Sequence, residues 1–166
     1  MVYFVIVFIL IILVYKYDYL EHETGKNFWF FFVLLYFILL AGMRYRVGMD
    51  TIIYMTYHRS WPDIYSIDIT ELFREVSKFQ PLWLMYVALL GGISRDFVLL
   101  QFVNAIFLNT VILFFLRGTT KYLFTSIFFY AILYYLEFNF EILREAIAIG
   151  FLLLAIPAYH KNRWLS

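Results

Sequence analysis

Six apolar windows dominate this sequence and restrict it to folds that are largely surrounded by lipid. They cover roughly residues 1–15, 28–43, 81–93, 97–116, 122–138 and 142–159. Because 64% of the 166 residues are hydrophobic and only 15% are charged, a water-soluble domain of this length could not hide so much apolar surface. The windows therefore predict an all-α protein that is embedded in a membrane.

The lengths of the windows predict how many of them cross the bilayer. A transmembrane helix needs about 20 residues, within a range of about 17–25. The last three windows meet this requirement, and the first two meet it when aromatic and snorkelling flanks are included. Window 81–93 is too short, begins with Pro81 and ends at Gly91 and Gly92, which favours a re-entrant or interfacial helix. We therefore predict a polytopic bundle of about five transmembrane helices.

The distribution of lysine and arginine predicts the orientation of these helices. Cytoplasmic loops carry an excess of basic residues. With the N-terminus outside, the basic segments near Lys16 and Lys26, at 117–121 and at 160–163 all face the cytoplasm. We therefore predict one integral domain over 1–166 in the cytoplasmic membrane, with a long external segment, 44–96, that contains short helices along the membrane surface.

Two elements are predicted inside that external segment. If residues 50–59 are helical, Asp50, Tyr54 and His58 share one face, because they are spaced at i, i+4 and i+8. Residues 68–78 are predicted to form an amphipathic interfacial helix.

A charged cluster follows window 28–43 directly. Arg44 and Arg46 carry planar donor forks that suit phosphate or carboxylate groups. Gly48 is predicted to let the backbone turn sharply and present Asp50. The alternative interpretation is a basic interfacial anchor followed by a helix that begins at the aspartate.

A second cluster precedes the last window. Asn139 is predicted to be a helix N-cap with Glu141 in the first turn, which would place Arg144 about one turn inside an apolar span. A charge at that depth usually has a partner or a function. The alternative is a local Glu141–Arg144 pair at i, i+3 spacing. In the fourth window, Gln101, Asn104 and Asn109 are predicted to face the bundle as contacts between helices.

Several functions lack support in the sequence. A net charge of +1 gives no electrostatic reason to expect nucleic acid as a partner. The absence of cysteine excludes disulfides and thiolate metal sites, and the three histidines show no metal-ligand spacing. The sequence also has no phosphate-binding glycine loop, nucleophile elbow or dinucleotide fingerprint. We therefore predict neither a metal nor another cofactor.

The two clusters together resemble the EpsG-type, Wzy-like polysaccharide polymerases. The matching positions, in chain order, are Arg44, Gly48, Asp50, Tyr54, Gln80, Pro81, Phe138, Asn139, Arg144, Ile147 and Ala148. Gln80 stands where that family commonly has an acidic residue, and Glu145 stands where a glutamine usually follows the arginine. Family members are also longer, so the resemblance implies that this chain is the N-terminal part of a polymerase.

The resemblance implies glycan transfer between polyprenyl-pyrophosphate-linked units outside the cytoplasmic membrane. The carrier pyrophosphate would be held by Arg44, Arg46 and Arg144. Asp50 would be the catalytic base with His58 behind it, and the substrate would also contact Tyr54 and Asn139. Implied partners are the lipid-linked oligosaccharide, membrane lipids and other polysaccharide-assembly proteins. Two alternatives to an active enzyme stay open, namely a non-catalytic translocation or scaffold subunit and an inactive truncated product.

Overall fold

All regular structure in the described part of the chain is helical, which confirms the predicted all-α class. The computed structural model describes the backbone of residues 2–44, 47–58, 65 and 80–161, without the side chains at 2, 49, 50, 57, 58, 158, 160 and 161. The α-helices are α1 (Val2–Leu13), α2 (Lys26–Gly42), α3 (Met49–His58), α4 (Pro81–Gly91), α5 (Phe97–Thr119), α6 (Leu123–Leu133) and α7 (Leu143–Lys161). Two π-helical turns, Val14–Tyr19 and Glu137–Glu141, follow α1 and precede α7.

The helices differ in their capacity to cross a membrane. Among the described residues, α5 alone is long and apolar enough to do so by length and composition, while α2, α4 and α6 are shorter apolar helices. The expected span 122–138 is interrupted, since α6 ends at Leu133 after 11 residues. At about 1.5 Å per residue α6 is about 16 Å long, well short of a hydrocarbon core of about 30 Å. The described helices therefore do not confirm five crossings, and that number stays a prediction.

Helix α5 lies against both α2 and α7, and glycines allow close contact on each side. A Cβ atom on Gly42 of α2 would lie 2.6 Å from the ring of Phe102. A Cβ atom on Gly150 of α7 would lie 2.7 Å from the ring of Phe107. Small residues at helix interfaces let backbones approach closely, which is the usual basis of packing between membrane helices.

Amide side chains of α5 form hydrogen bonds with neighbouring segments. Gln101 Nε2 donates to the carbonyl oxygens of Ala41, Gly42 and Arg44 at 3.1, 3.2 and 2.8 Å. Asn109 Nδ2 donates to Asn139 Oδ1 at 2.8 Å. The last carbonyls of a helix have no partner within it, so Gln101 completes the C-terminal end of α2. The prediction that these amides face the bundle is confirmed.

The outer surface of the bundle is apolar. Phe4 and Phe8 of α1 are 74% and 65% exposed, and Phe28 of α2 is 68% exposed. The interior of the same helices is equally apolar, with Leu10 and Phe37 fully buried. Apolar side chains on both faces of a helix are typical of a protein whose surroundings are lipid.

The π-helical turn after α1 is held to α6 by a buried acid. Asp18 Oδ2 accepts hydrogen bonds from the backbone nitrogen of Thr125 at 2.6 Å and from its hydroxyl at 2.8 Å. Because Thr125 lies in the first turn of α6, the carboxylate satisfies a backbone donor that has no partner within the helix.

Candidate functional site

The two charged clusters of the sequence meet at one end of the bundle, where Gly48 packs directly against Phe140. Its φ is +94°, a backbone conformation that favours glycine. A Cβ atom at this position would lie 2.0 Å from the carbonyl oxygen of Phe140. The predicted need for backbone freedom at Gly48 is confirmed. The close approach to Phe140 adds a tertiary reason for glycine that the sequence does not reveal.

Arg44 leaves α2 and turns inward at this contact. Its side chain is buried, and its guanidinium carbon lies 4.6 Å from the centroid of the Phe140 ring. Its three guanidinium nitrogens have no hydrogen-bond partner among the described residues. Burial lowers the pKa of Arg44 to about 10, and Tyr135 and Glu141 act in the opposite direction. The group remains a cation at neutral pH, and a buried cation with unpaired donors favours an anionic ligand.

Arg144 points back toward the first cluster. Its Nη1 donates to Gln80 Oε1 at 2.5 Å, and its guanidinium carbon lies 6.0 Å from the centroid of the Tyr54 ring. Its Nη2 lies 3.6 Å from Glu145 Oε1. Gln80 and Glu145, the two positions that depart from the polymerase pattern, therefore both contact the same guanidinium. The side chain reaches the segment between α3 and α4 in addition to its own helix.

The prediction that Asn139 caps a helix is wrong. Asn139 lies inside the π-helical turn, and α7 begins only at Leu143, so Arg144 occupies the first turn of the helix rather than a position one turn deeper. The amide of Asn139 is bound internally, accepting from Asn109 and donating to the carbonyl oxygen of Tyr135 at 2.9 Å. With its oxygen bound to Asn109 and its nitrogen bound to Tyr135, the amide is occupied inside the bundle and does not cap α7.

Helix α3 confirms the predicted helical register after the first cluster. Positions 50, 54 and 58 share one of its faces, and Tyr54 is buried there against Trp83 with 5.3 Å between ring centroids. Four predicted features lie outside the described residues: the side chain of Asp50, the side chain of His58, the whole of Arg46 and the helix 68–78. Their proposed roles therefore stay predictions.

A small polar cavity lies between the end of α2, helix α5 and the second π-helical turn. Arg44, Gln101, Asn104 and Asn139 contribute its polar lining. Its volume is about 10 Å³, which corresponds to roughly one water molecule. Asn104 Oδ1 accepts from the hydroxyl of Tyr86, while Asn104 Nδ2 has no hydrogen-bond partner in the part of the chain that the structure describes.

A larger open groove lies on the other side of Arg44. It has a volume of about 450 Å³ and is lined by Tyr36, Leu39, Leu40, Met43, Arg44, Val47 and Phe140. Sequence reasoning did not identify Phe140, which contacts Arg44 and Gly48 and contributes to the lining of this groove. No local pattern distinguishes it from the other 19 phenylalanines of the chain, because its position follows from tertiary packing.

A sequence model described as "EpsG family" matches residues 27–166, which include both charged clusters and helices α3–α7. The match covers well over half of the chain, so the protein belongs to the EpsG family, and the resemblance drawn from the motifs is confirmed. No curated protein matches this chain. No solved structure matches it either. Family membership assigns the chain to membrane proteins of polysaccharide biosynthesis.

Proposed function

We propose that this EpsG family protein is a polysaccharide polymerase that works on the external face of the cytoplasmic membrane. The bond between the anomeric carbon of a growing glycan and its polyprenyl pyrophosphate breaks. A new bond forms from that carbon to a hydroxyl oxygen of the next lipid-linked unit, and the hydroxyl proton passes to a base. Such a transfer needs donors for the departing pyrophosphate and a positioned base. Family membership and the contact between the two charged clusters support this proposal.

The observation that carries the proposal is the arrangement of Arg144. Its guanidinium is bound by Gln80 and lies over Tyr54, so its direction is fixed, while the side chain keeps 25% of its exposure. We assign to Arg144 direct contact with the carrier pyrophosphate. Tyr54 positions it, and Arg44 adds positive charge from behind the Phe140 ring.

The remaining roles are those expected from the sequence, and of these residues Asp50 and Asn139 occupy matched positions of the family. Asp50 is the proposed base with His58 behind it, and Arg46 is a further contact to the pyrophosphate. Asn139 acts by holding the wall of the site through its internal hydrogen bonds.

The proposed arrangement in the membrane has about five crossings, with residues 44–96 outside and both charged clusters on that side. The apolar exterior of α1 and α2 supports embedding in lipid. Helix α4 has 11 residues, which favours a re-entrant or interfacial position. The proposed partners are the polyprenyl-pyrophosphate-linked oligosaccharide, the surrounding lipids and other polysaccharide-assembly proteins.

Polymer formation in cells that carry single substitutions tests this function. We expect Arg144→Lys to reduce polymer about tenfold or more, because lysine keeps the charge but cannot form the paired hydrogen bonds of a guanidinium. Arg117→Lys is the matched control, since Arg117 lies at the C-terminal end of α5, opposite to the end that carries Gln101, and contacts Asn27. Polymer is measured by gel electrophoresis at equal protein abundance.

Asp50→Asn separates the polymerase from its rival. We expect this variant to make no polymer and still bind the lipid-linked unit. Normal polymer from Arg144→Lys would contradict the proposal. Loss of polymer with Arg144→Lys but not with Asp50→Asn would indicate a translocation or scaffold subunit, which needs the cation and no base.

A further inference from the structure

The guanidinium of Arg144 has a neutral neighbour on one nitrogen and an acidic neighbour on another. Gln80 Oε1 accepts a hydrogen bond from Nη1 at 2.5 Å, whereas Glu145 Oε1 lies 3.6 Å from Nη2. Because a hydrogen bond between such atoms is about 2.7–3.2 Å long, Glu145 acts on Nη2 through its charge and does not close on it. The amide therefore fixes the direction of the guanidinium, and the acid offsets part of its positive charge.

Both members of the Arg144–Glu145 pair are accessible to a ligand. Their side chains keep 25% and 53% of their exposure, and both residues lie in the first turn of α7. An anion that binds at Nη2 must come close to the Glu145 carboxylate, where two negative charges repel each other. Glu145 therefore opposes the binding of an anion at this guanidinium.

Glu145 also has two ordinary roles, and each predicts a different effect on anion binding. An acid in the first turn stabilises a helix, and neutralising it for that reason alone would leave the affinity for an anion unchanged. An ion-pair partner can hold Arg144 in place, and neutralising such a partner would lower the affinity. An acid that competes with the ligand differs from both, because neutralising it raises the affinity. The sign of the change therefore identifies the role.

We propose that Glu145 competes with the pyrophosphate for Arg144 and thereby sets how readily the pyrophosphate is released after each transfer. The proposal rests on the proposed function for the identity of the anion. In that reaction the polyprenyl pyrophosphate left by each transfer must leave the site, and product release limits the turnover of many enzymes. Gln80 keeps the guanidinium directed while the ligand exchanges.

Binding of inorganic pyrophosphate to the purified full chain in phosphatidylcholine nanodiscs tests this role. Calorimetric titration at about 0.15 M ionic strength, where distant surface charges are screened, measures the dissociation constant. We expect Glu145→Gln to lower that constant about threefold to fivefold, because charge interactions at partly exposed positions are weak. Glu145→Asp keeps the negative charge and should stay within about twofold of the unsubstituted protein.

Two further variants separate the charge beside Arg144 from general effects. Glu23→Gln is the matched control, because Glu23 pairs with Lys26 at 3.1 Å, before the start of α2 and at the opposite end of that helix from the site. Its dissociation constant should not change. Gln80→Glu adds an acid at Nη1 and should weaken binding several-fold, while Gln80→Glu combined with Glu145→Gln should restore it, since one acid and one amide again contact the guanidinium.

The kinetics of polymer formation provide a second measurement. With purified lipid-linked unit, Glu145→Gln should lower both the half-saturating concentration and the maximal rate, because a more tightly held pyrophosphate leaves more slowly. A loss of folded protein would lower the maximal rate alone. Elution in size-exclusion chromatography confirms that each variant is folded.

Three outcomes would overturn the proposal: unchanged or weaker pyrophosphate binding by Glu145→Gln, an equal gain from Glu23→Gln, and binding that persists undiminished in Arg144→Gln. The titrations involve no glycan transfer, so these outcomes leave the polymer assay with Arg144→Lys unaffected. Conversely, normal polymer from Arg144→Lys together with tighter pyrophosphate binding by Glu145→Gln would refute the polymerase function alone.

Discussion

Replacing Gly48 by alanine should separate the two charged clusters. The new Cβ atom would lie 2.0 Å from the carbonyl oxygen and 2.9 Å from the carbonyl carbon of Phe140. Both are backbone atoms of the π-helical turn, so no side-chain rotation relieves the overlap. Either the turn must move away from α3, or the φ of +94° must change.

The two costs can be estimated separately. A left-handed conformation costs a residue with a Cβ atom about 1 kcal/mol or more. Forcing a methyl group into a closely packed site costs typically about 1–3 kcal/mol. We therefore expect Gly48→Ala to lower the free energy of unfolding by about 2–4 kcal/mol, with the two charged clusters no longer in contact at Gly48 and Phe140.

Unfolding in mixed micelles with increasing SDS, followed by circular dichroism, measures this change. Gly118→Ala is the matched control, because a Cβ atom there meets nothing within 4 Å and the position lies near the end of α5. Alanine should be neutral or stabilising by up to about 1 kcal/mol at that position. Gly48→Asn distinguishes the two costs, since asparagine tolerates positive φ but still carries the Cβ atom.

The contact with Phe140 predicts that Gly48→Asn is nearly as destabilising as Gly48→Ala. Stability of Gly48→Asn close to that of the unsubstituted protein would show that backbone conformation alone requires the glycine. Equal stability of Gly48→Ala and Gly118→Ala would refute the whole argument, including the close approach of the two clusters.

Two further predictions concern the bundle and its orientation. Gln101→Leu should lower the free energy of unfolding in the same assay by about 2–4 kcal/mol, because buried carbonyl oxygens at the end of α2 lose their donor, and an effect below about 0.5 kcal/mol would contradict this. Since the chain has no cysteine, Lys121→Cys and Asp63→Cys can be probed singly in intact cells with an impermeant thiol reagent. We expect labelling only at 63; labelling at both positions would require window 81–93 to cross the membrane, and labelling at 121 with protection at 63 would indicate the opposite orientation of the five spans.

The sequence predicts the helices of this protein closely where charged residues or breakers bound an apolar run. Window 28–43 corresponds to α2 (Lys26–Gly42), and window 97–116 corresponds to α5 (Phe97–Thr119). The interruption after α6 was not predictable from local pattern. It lies beside long-range hydrogen bonds that the sequence does not reveal, from Asn109 to Asn139 and from the hydroxyl of Tyr135 to the carbonyl oxygen of Phe37 at 2.8 Å.

The candidate site likewise has a part that the sequence predicts and a part that it does not. The motifs identified Arg44, Gly48 and Arg144 because cations and a glycine beside apolar windows are chemically unusual. The contact from Arg144 to Gln80 joins residues 64 positions apart, and the inward turn of Arg44 depends on Phe140. Such contacts follow from how the helices pack, which periodicity and composition do not encode.

The hydrogen bonds from Gln101 to the end of α2 bear on how the protein is made. Gln101 lies 60 residues after Ala41 and 57 after Arg44, so α2 leaves the ribosome well before its donor is synthesised. Until α5 enters the membrane, the last carbonyls of α2 must be satisfied by water or by the insertion machinery. Helix α5 is long enough to insert on its own. Its Gln101 then supplies the hydrogen-bond donor that the end of α2 lacked. This end of the bundle is therefore completed late in synthesis, and the two charged clusters can come into contact only once the chain has been synthesised through Arg144.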